Sequence, residues 1–192
     1  MAKIRQPIPA DATCVFKGKI FEVWHWEQKM FDGSMSTFER LRRPDTVQVF
    51  AIEDDCILLV KERQPDTDTY LSLPGGRVDQ GEDPLEACKR ELLEEIGYTS
   101  NKWELFYEDD PVGKMDWTIH TYIARDCTRV QDPKLDGGEE IELEPVSLDR
   151  LLNLTDDESF HVGSVKELLL RARFNPEDRD EMKNRLFGSP RA

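Results

Sequence analysis

Residues 76–98, G-R-V-D-Q-G-E-D-P-L-E-A-C-K-R-E-L-L-E-E-I-G-Y, decide the fold of this 192-residue chain. The second half of the stretch is strongly helical and carries Glu91, Glu94 and Glu95. Side chains three and four positions apart share one face of a helix, so these carboxylates crowd together. Such a cluster calls for a neutralising cation. Because every donor is an oxygen, the pattern favours a hard divalent ion, Mg²⁺ or Mn²⁺.

Local signals mark both ends of the predicted helix. Asp83 is a good N-cap residue, Pro84 suits the first helical position, and Glu86 stands at the third. The helix is predicted to end at Ile96, because Gly97 follows it as a C′ glycine.

The composition is that of a soluble, acidic globular protein with one domain and a full core. Hydrophobic residues make up 38%, charged residues 34%, and the net charge is −14. No apolar run approaches the about 20 residues needed to span a bilayer, so no membrane partner is expected. The only basic cluster is residues 40–43, which is too small for a groove that binds long nucleic acid.

Two further features favour a cytoplasmic location. Residues 1–13 lack the apolar core of a signal peptide. The four cysteines, Cys14, Cys56, Cys88 and Cys127, are far apart and form no C-x-x-C pair. We therefore predict reduced thiols rather than disulfides or a zinc site.

The rest of the chain alternates between strand and helix patterns. We predict a strand or hairpin over residues 15–27 and strands over 36–41, 46–52, 56–62, 70–73, 103–107, 117–124 and 141–146. We predict helices over residues 148–152 and 159–174, and a third short helix or a charged tail over 177–186. This order indicates a layered α/β domain.

The stretch 76–98 also matches the Nudix box, G-x5-E-x7-R-E-U-x-E-E-x-G-U, in which U is a bulky aliphatic residue. The matching positions are Gly76, Glu82, Arg90, Glu91, Leu92, Glu94, Glu95 and Gly97, whereas Tyr98 replaces the usual aliphatic residue. The chain thus resembles the Nudix hydrolase family. The resemblance implies an α/β/α sandwich around a mixed β-sheet, with the box as a loop, helix and loop at the mouth of the site.

The resemblance also suggests how the chain is divided. Residues 1–43 would form an N-terminal β element, and residues 44–174 the Nudix hydrolase domain. Residues 175–192 would form a C-terminal charged tail or short helix.

Nudix enzymes hydrolyse the pyrophosphate of a nucleoside diphosphate linked to another group, X. The resemblance implies that Glu91 and Glu95 are the principal metal ligands and that Glu94 is a further ligand or supports bound water. The carbonyl of Gly75 would complete the metal shell. Glu94, Glu95 and Arg90 would form the catalytic group, with Mg²⁺ as the cofactor and Mn²⁺ as the alternative.

Two other roles follow from the same resemblance. Glu82 is expected to form a salt bridge with Arg90 and so orient the helix. In ADP-ribose pyrophosphatases a glutamate from a distal loop acts as general base. Glu139 is our first candidate and Glu140 the second, with a box glutamate as the remaining possibility.

The segment before the box resembles the ADP-ribose and nucleoside diphosphate sugar pyrophosphatases. In that group an N-terminal β element helps form a homodimer and contributes to the adenosine site. Trp24 and Trp26 are candidates to stack on a base, although aromatic residues in a strand more often serve packing, and Arg43 is a candidate for phosphate or ribose. Many relatives have Gln-x-Arg before the box, whereas residues 61–64 read Lys-Glu-Arg-Gln. Arg63 is therefore the candidate for a displaced arginine.

Alternative functions are a nucleoside triphosphate or oxidised-nucleotide pyrophosphatase and a non-catalytic nucleotide-sensing module. The extra N-terminal segment argues against the first, and the intact set of box carboxylates argues against the second. A plain solvated helix face would also explain E-L-L-E-E, but the L-P-G-G before the helix, Glu82 and Gly97 favour a site.

Overall fold

The computed structural model describes residues 6–135, 137–138, 140–163 and 165–188. The first strands are β1 (Thr13–Lys17), β2 (Glu22–Lys29), β3 (Met35–Arg42), β4 (Thr46–Glu53), β5 (Cys56–Arg63), β6 (Tyr70–Ser72) and β7 (Gly75–Arg77). Helix α1 (Pro84–Ile96) is followed by β8 (Tyr98–Thr99), β9 (Lys102–Asp109), β10 (Met115–Asp116), β11 (Ile119–Arg125), β12 (Thr128–Arg129) and β13 (Glu140–Val146). The chain continues through α2 (Leu148–Asn153), a short 3₁₀ helix (Leu154–Asp156), β14 (Phe160–His161), α3 (Val165–Phe174) and α4 (Pro176–Phe187).

A mixed sheet forms the centre of the fold. Its strand order is β14-β6-β5-β4-β11-β9, with β7 beside β4 and β13 beside β5. Strand β11 runs parallel to β4 and antiparallel to β9. Strands β4 and β5 read T-V-Q-V-F-A-I-E and C-I-L-L-V-K-E-R, near-continuous apolar runs, as expected for strands that are covered on both faces.

Alternate residues of these strands enter two separate cores, because successive side chains of a strand point to opposite faces. On one face Val49 and Ala51 pack with Leu92 of α1. On the other face Phe50 and Ile52 join the apolar residues of α2, α3 and α4. The predicted α/β/α sandwich around a mixed sheet is confirmed.

A second sheet, with order β1-β2-β3-β10, is built on the N-terminal segment. Strands β1 and β2 form the expected hairpin, and β3 pairs antiparallel with β2. Strand β10 lies parallel to β3, and Arg42 Nε donates to Asp116 Oδ2 at 3.0 Å. This sheet leaves several large apolar side chains exposed, among them Val15, Phe16, Phe21 and Met35.

One predicted helix begins later than the sequence pattern indicates. Within residues 159–174, Phe160–His161 forms β14, which pairs parallel with β6, and α3 begins only at Val165. Gly163 adopts φ +54°, a left-handed conformation that interrupts helical geometry. Phe160, at 1% exposed, is a core residue of the sheet.

The C-terminal segment, for which the sequence left a short helix or a charged tail open, forms a helix. Helix α4 runs over Pro176–Phe187, and its Met182 and Leu186 are buried in the same core as α3. All four cysteines are free thiols, with Cys88 and Cys127 buried. None of the helices in the described ranges is long and apolar enough to cross a membrane.

An ion network fastens α4 to the sheet. Arg125, 4% exposed on β11, donates from Nη2 to Glu104 Oε2 at 2.7 Å and from Nε to the Leu186 carbonyl at 3.1 Å. Arg185 Nη2 donates to Glu104 Oε1 at 3.2 Å. Burial alone would raise the pKa of Glu104, but hydrogen bonds and charges from the two arginines lower it.

This network predicts a pH-dependent stability. Because the folded-state pKa of Glu104 lies below the ordinary 4.5, its carboxylate stabilises the fold above that pH, and this stabilisation is lost as the pH falls through the folded-state pKa. We expect Glu104→Gln to lower the free energy of unfolding by about 1–3 kcal/mol at pH 7. The difference from wild type should shrink towards pH 3, as measured by urea unfolding across that range. A difference that stays constant with pH would contradict the assignment.

Candidate active site

Helix α1 holds the central residues of the site, and both of its ends follow the sequence prediction. Asp83 Oδ1 accepts hydrogen bonds from the backbone N–H of Leu85 and Glu86, at 2.9 and 3.3 Å. Gly97 adopts φ +77° and donates its N–H to the Leu93 carbonyl at 3.1 Å. These caps satisfy groups that a helix leaves unpaired at its ends and so fix the register of the carboxylate face.

The two glycines of β7 pack closely against their neighbours, Gly75 against the backbone of β4 and Gly76 against the Glu91 side chain of α1. A Cβ on Gly76 would lie 2.5 Å from the Glu91 carboxylate, and a Cβ on Gly75 would lie 2.1 Å from the Val47 carbonyl oxygen. The Gly75 N–H donates to Glu95 Oε2 at 2.8 Å. Two box glutamates are thus positioned by the backbone of β7.

Arg90 is the centre of the charge network. Its Nε and Nη2 donate to the two oxygens of Glu82, each at 3.0 Å, and Nη2 also donates to the Arg77 carbonyl at 3.0 Å. Nη1 donates to Glu91 Oε1 at 2.9 Å and Glu94 Oε2 at 3.1 Å. The predicted Glu82–Arg90 salt bridge is present and joins the loop to the helix.

The pKa values of this pair shift as the contacts require. The hydrogen bond with Glu82 is the largest cause that raises the pKa of Arg90, and the charge of Glu91 adds to it. The hydrogen bond from Arg90 lowers the pKa of Glu82, and the backbone N–H of Asp79 does so further. Both groups therefore stay ionised at neutral pH, and Arg90 offsets part of the negative charge on α1.

These residues line a cleft with a volume of about 570 Å³. Its walls include Gly75, Gly76, Arg90 and the box glutamates Glu91, Glu94 and Glu95. The structure therefore brings the predicted metal-binding positions together in one place, where they face open space.

Arg43 and Arg77 supply positive charge to the same cleft. The guanidinium of Arg43 lies over the Trp117 ring, 4.5 Å from its centroid, and its buried Nε has no hydrogen-bond partner within the described residues. Burial and the charge of Arg77 lower the pKa of Arg43. Two neighbouring cations on the wall of one cleft are suited to a phosphate group.

Several sequence candidates lie away from these walls. The described residues that line the cleft do not include Trp24, Trp26, Arg63 or Glu140. Trp26 is 9% exposed and packs edge-on against Phe38, while Trp24 lies under Arg42, so both serve the N-terminal sheet. Arg63 Nη1 lies 3.5 Å from Glu140 Oε2 on the solvent side of β5 and β13. Glu139 lies outside the described residues.

The cleft is also lined by residues that were not predicted from the sequence, among them Glu62, Gln64, Tyr70, Arg77, Asp79 and Lys134. The alternation of side chains along a strand could have identified two of these residues from the sequence. Glu62 and Gln64 are two residues apart and face the cleft together, whereas Arg63 between them faces away. The cleft-facing pair is therefore Glu-x-Gln in place of the Gln-x-Arg expected from relatives.

The chemistry of the donor groups at this site suits a divalent metal ion. Within the described ranges, no three Asp, Glu, His or Cys side chains are already arranged around one point as metal ligands. Glu91 and Glu94 instead share Arg90, and Glu95 accepts from Gly75. The available donors are all oxygens with net negative charge, which is the chemistry that a hard divalent cation requires. The residues therefore fit such an ion.

The arrangement of carboxylate helix, glycine strand and arginine-lined cleft defines a Nudix-type site. A family model described as NUDIX domain matches residues 42–168. The chain belongs to the Nudix family.

The comparisons with individual proteins agree with this assignment. The chain is 30% identical over 148 residues to "ADP-ribose pyrophosphatase" of Bacillus subtilis, a match that covers 74% of this chain and 79% of the relative. It is 28% identical over 157 residues to "Methanol dehydrogenase activator" of Bacillus methanolicus, covering 79% and 84%. A solved "ADP compounds hydrolase" superposes with a TM-score of 0.70 at 22% identity, covering 88% of this chain and 95% of that one. This structural likeness supports the fold.

The contact between Gly76 and Glu91 yields a test of the ligand assignment. We expect Gly76→Ala to displace the Glu91 carboxylate, because the added Cβ would lie 2.5 Å from it, and to weaken Mn²⁺ binding about tenfold or more. A Mn²⁺ titration followed by electron paramagnetic resonance measures the change. Gly113→Ala is the matched control, since nothing lies within 4 Å of its Cβ. Unchanged affinity in a folded Gly76→Ala variant would contradict the prediction that this contact positions Glu91 for the metal.

Proposed function

We propose that this protein is a Nudix pyrophosphatase that hydrolyses ADP-ribose or a related nucleoside diphosphate sugar. One observation carries the proposal: the box carboxylates and the arginine pair Arg43 and Arg77 line the same cleft. A diphosphate bound there would meet both the positive charge of the arginines and the metal-binding face of α1. The match to a protein named ADP-ribose pyrophosphatase supports the same reaction and substrate class.

The main physical problem of this reaction is charge, because an anionic diphosphate gains further negative charge in the transition state. Arg43 and Arg77 would bind phosphate oxygens and hold the substrate in register. Glu91, Glu94, Glu95 and the Gly75 carbonyl would hold the metal. A bound divalent ion supplies charge neutralisation at the phosphates and activation of water.

The remaining residues position these groups. Glu82 holds Arg90 by two hydrogen bonds of 3.0 Å, and Arg90 in turn holds the carboxylates of Glu91 and Glu94 on one side of α1. We assign the role of general base to Glu139 on the family resemblance, because the acidic segment in which it stands corresponds in sequence to the distal loop that supplies the base in ADP-ribose pyrophosphatases. The proton of the attacking water would pass to that carboxylate. Glu140 is the second candidate, although it begins β13 opposite Arg63 and does not line the cleft.

We assign Mg²⁺ as the metal, with Mn²⁺ as the alternative, because the family uses divalent ions and the donors are oxygens. We assign a cytoplasmic location, which is consistent with four free thiols.

We further propose a homodimer formed through the N-terminal sheet. The strands and first turn of that sheet expose Val15, Phe16, Phe21 and Met35, and an excess of exposed apolar side chains in one region is typical of an interface with another subunit. Trp24 and Trp26 would then act in the interface or in the partner's site rather than in the cleft of their own chain. Sedimentation velocity is expected to give twice the mass of 22.3 kDa, and Phe16→Ser to shift it to the monomer.

The substrate class is tested with a panel. Purified protein with Mg²⁺ is incubated with ADP-ribose, UDP- and GDP-sugars, dinucleoside polyphosphates and nucleoside triphosphates, and the products are identified by mass. We expect AMP and ribose 5-phosphate from ADP-ribose. Cleavage of triphosphates alone would reassign the protein to the nucleoside triphosphate pyrophosphatases, and no product from any substrate would support a sensing module.

The metal face is tested with Glu95→Gln. The amide keeps an oxygen for the Gly75 N–H but loses the charge, so we expect the fold to persist and turnover to fall by about a hundredfold or more. Glu86→Gln is the matched control, because it removes a carboxylate from the same helix at an exposed position paired with Lys89. Normal turnover by Glu95→Gln would show that the metal-ligand assignment is wrong.

A further inference from the structure

The cleft has two walls of different character. Arg43, just after β3, and Arg77, on β7, line one of them. Glu62 and Gln64, at the end of β5, and Tyr70, on β6, line the other. Strand pairing explains the separation, because the beginning of β4 pairs with β7 whereas the end of β5 pairs with β6.

Burial and side-chain contacts fix the wall that contains Glu62, Gln64 and Tyr70. Glu62 is only 9% exposed, and Gln64 Nε2 donates to its Oε1 at 2.6 Å. Tyr70 is the cross-strand partner of Glu62. The Tyr70 ring stacks on His161, with centroids 4.9 Å apart and an interplanar angle of 21°. The carboxylate is therefore largely buried and is held by the Gln64 amide, beside the Tyr70 strand position.

A shielded carboxylate at this point has a clear preference among ligands. It repels a phosphate, and it accepts strong, charge-assisted hydrogen bonds from hydroxyl groups. The second carboxylate oxygen of Glu62 and the amide oxygen of Gln64 add acceptor capacity next to it. The wall thus suits a neutral group with several hydroxyls.

We propose that Glu62 and Gln64 form the subsite for X and select a hydroxyl-bearing sugar over a phosphate at that position. The proposal rests on the proposed function. The diphosphate binds along Arg43 and Arg77, and X extends towards β5 and β6. The Glu-x-Gln pair is then a specificity determinant, since a cation in place of Gln64 would instead attract a phosphate.

ADP-ribose and ATP provide a matched pair of substrates, because both are ADP linked to X, a ribose in one and a phosphate in the other. We expect Glu62→Gln to lower kcat/KM for ADP-ribose relative to that for ATP by about tenfold or more, chiefly through KM, because a hydrogen bond to a charged acceptor is weakened while repulsion of phosphate is removed. Gln64→Arg should shift the ratio in the same direction. Glu142→Gln, on the exposed side of β13, is the control and should leave the ratio unchanged.

The kinetic results distinguish a sugar subsite from a role of Glu62 in metal binding or proton transfer. A shifted ratio with KM for ADP-ribose raised supports the subsite. An equal fall in kcat for both substrates would assign Glu62 to the metal or the proton transfer and overturn the inference, as would an unchanged ratio in variants whose thermal unfolding matches wild type. Failure of the wild type to cleave ADP-ribose would overturn the proposed function itself, and it is seen before any variant is made.

Discussion

The site depends on a single guanidinium. Arg90 contacts Glu82, Glu91 and Glu94 together with the Arg77 carbonyl, and so joins the loop before α1, the strand β7 and the carboxylate face. Without this cation the carboxylates would repel one another on a helix that buries its opposite face in the core. Arg90 leaves part of the negative charge uncompensated, and that remainder is what a divalent ion would neutralise.

The sheet determines where this charge can act. Because β4 and β5 are covered on both faces, their side chains are committed to packing, and polar groups reach the cleft only near strand ends. Arg43 precedes β4, Glu62 is the last residue but one of β5, and Gly76 lies in the short strand before the helix. Positive charge, acceptor groups and carboxylates therefore come from different elements that meet at one edge of the sheet.

The sequence predicted the parts of the fold whose signals are local. Asp83 and Gly97 mark the ends of α1 because capping depends on neighbouring residues. The Glu82–Arg90 salt bridge was expected from the resemblance to the Nudix family. Long-range features were less accessible. The pairing of Phe160 with β6 was hidden by a helical pattern, and the orientation of residues 62–64 depends on strand register. The roles of Trp24 and Trp26 were equally inaccessible, because the sequence shows that these residues are aromatic but not which part of the fold packs against them.

Helix α4 lies outside the 42–168 match to the family, yet its Leu186 is fully buried and Arg185 lies over the Phe106 ring, 4.2 Å from the centroid. The folded domain therefore extends beyond the C-terminal end of the family match. A recombinant fragment that ends at residue 168 would stop inside α3 and lack α4, so core side chains such as Phe106 would lose their cover. Its poor solubility would then say nothing about the activity of the whole enzyme. Expression of this domain for biochemistry should retain the chain to at least Gly188.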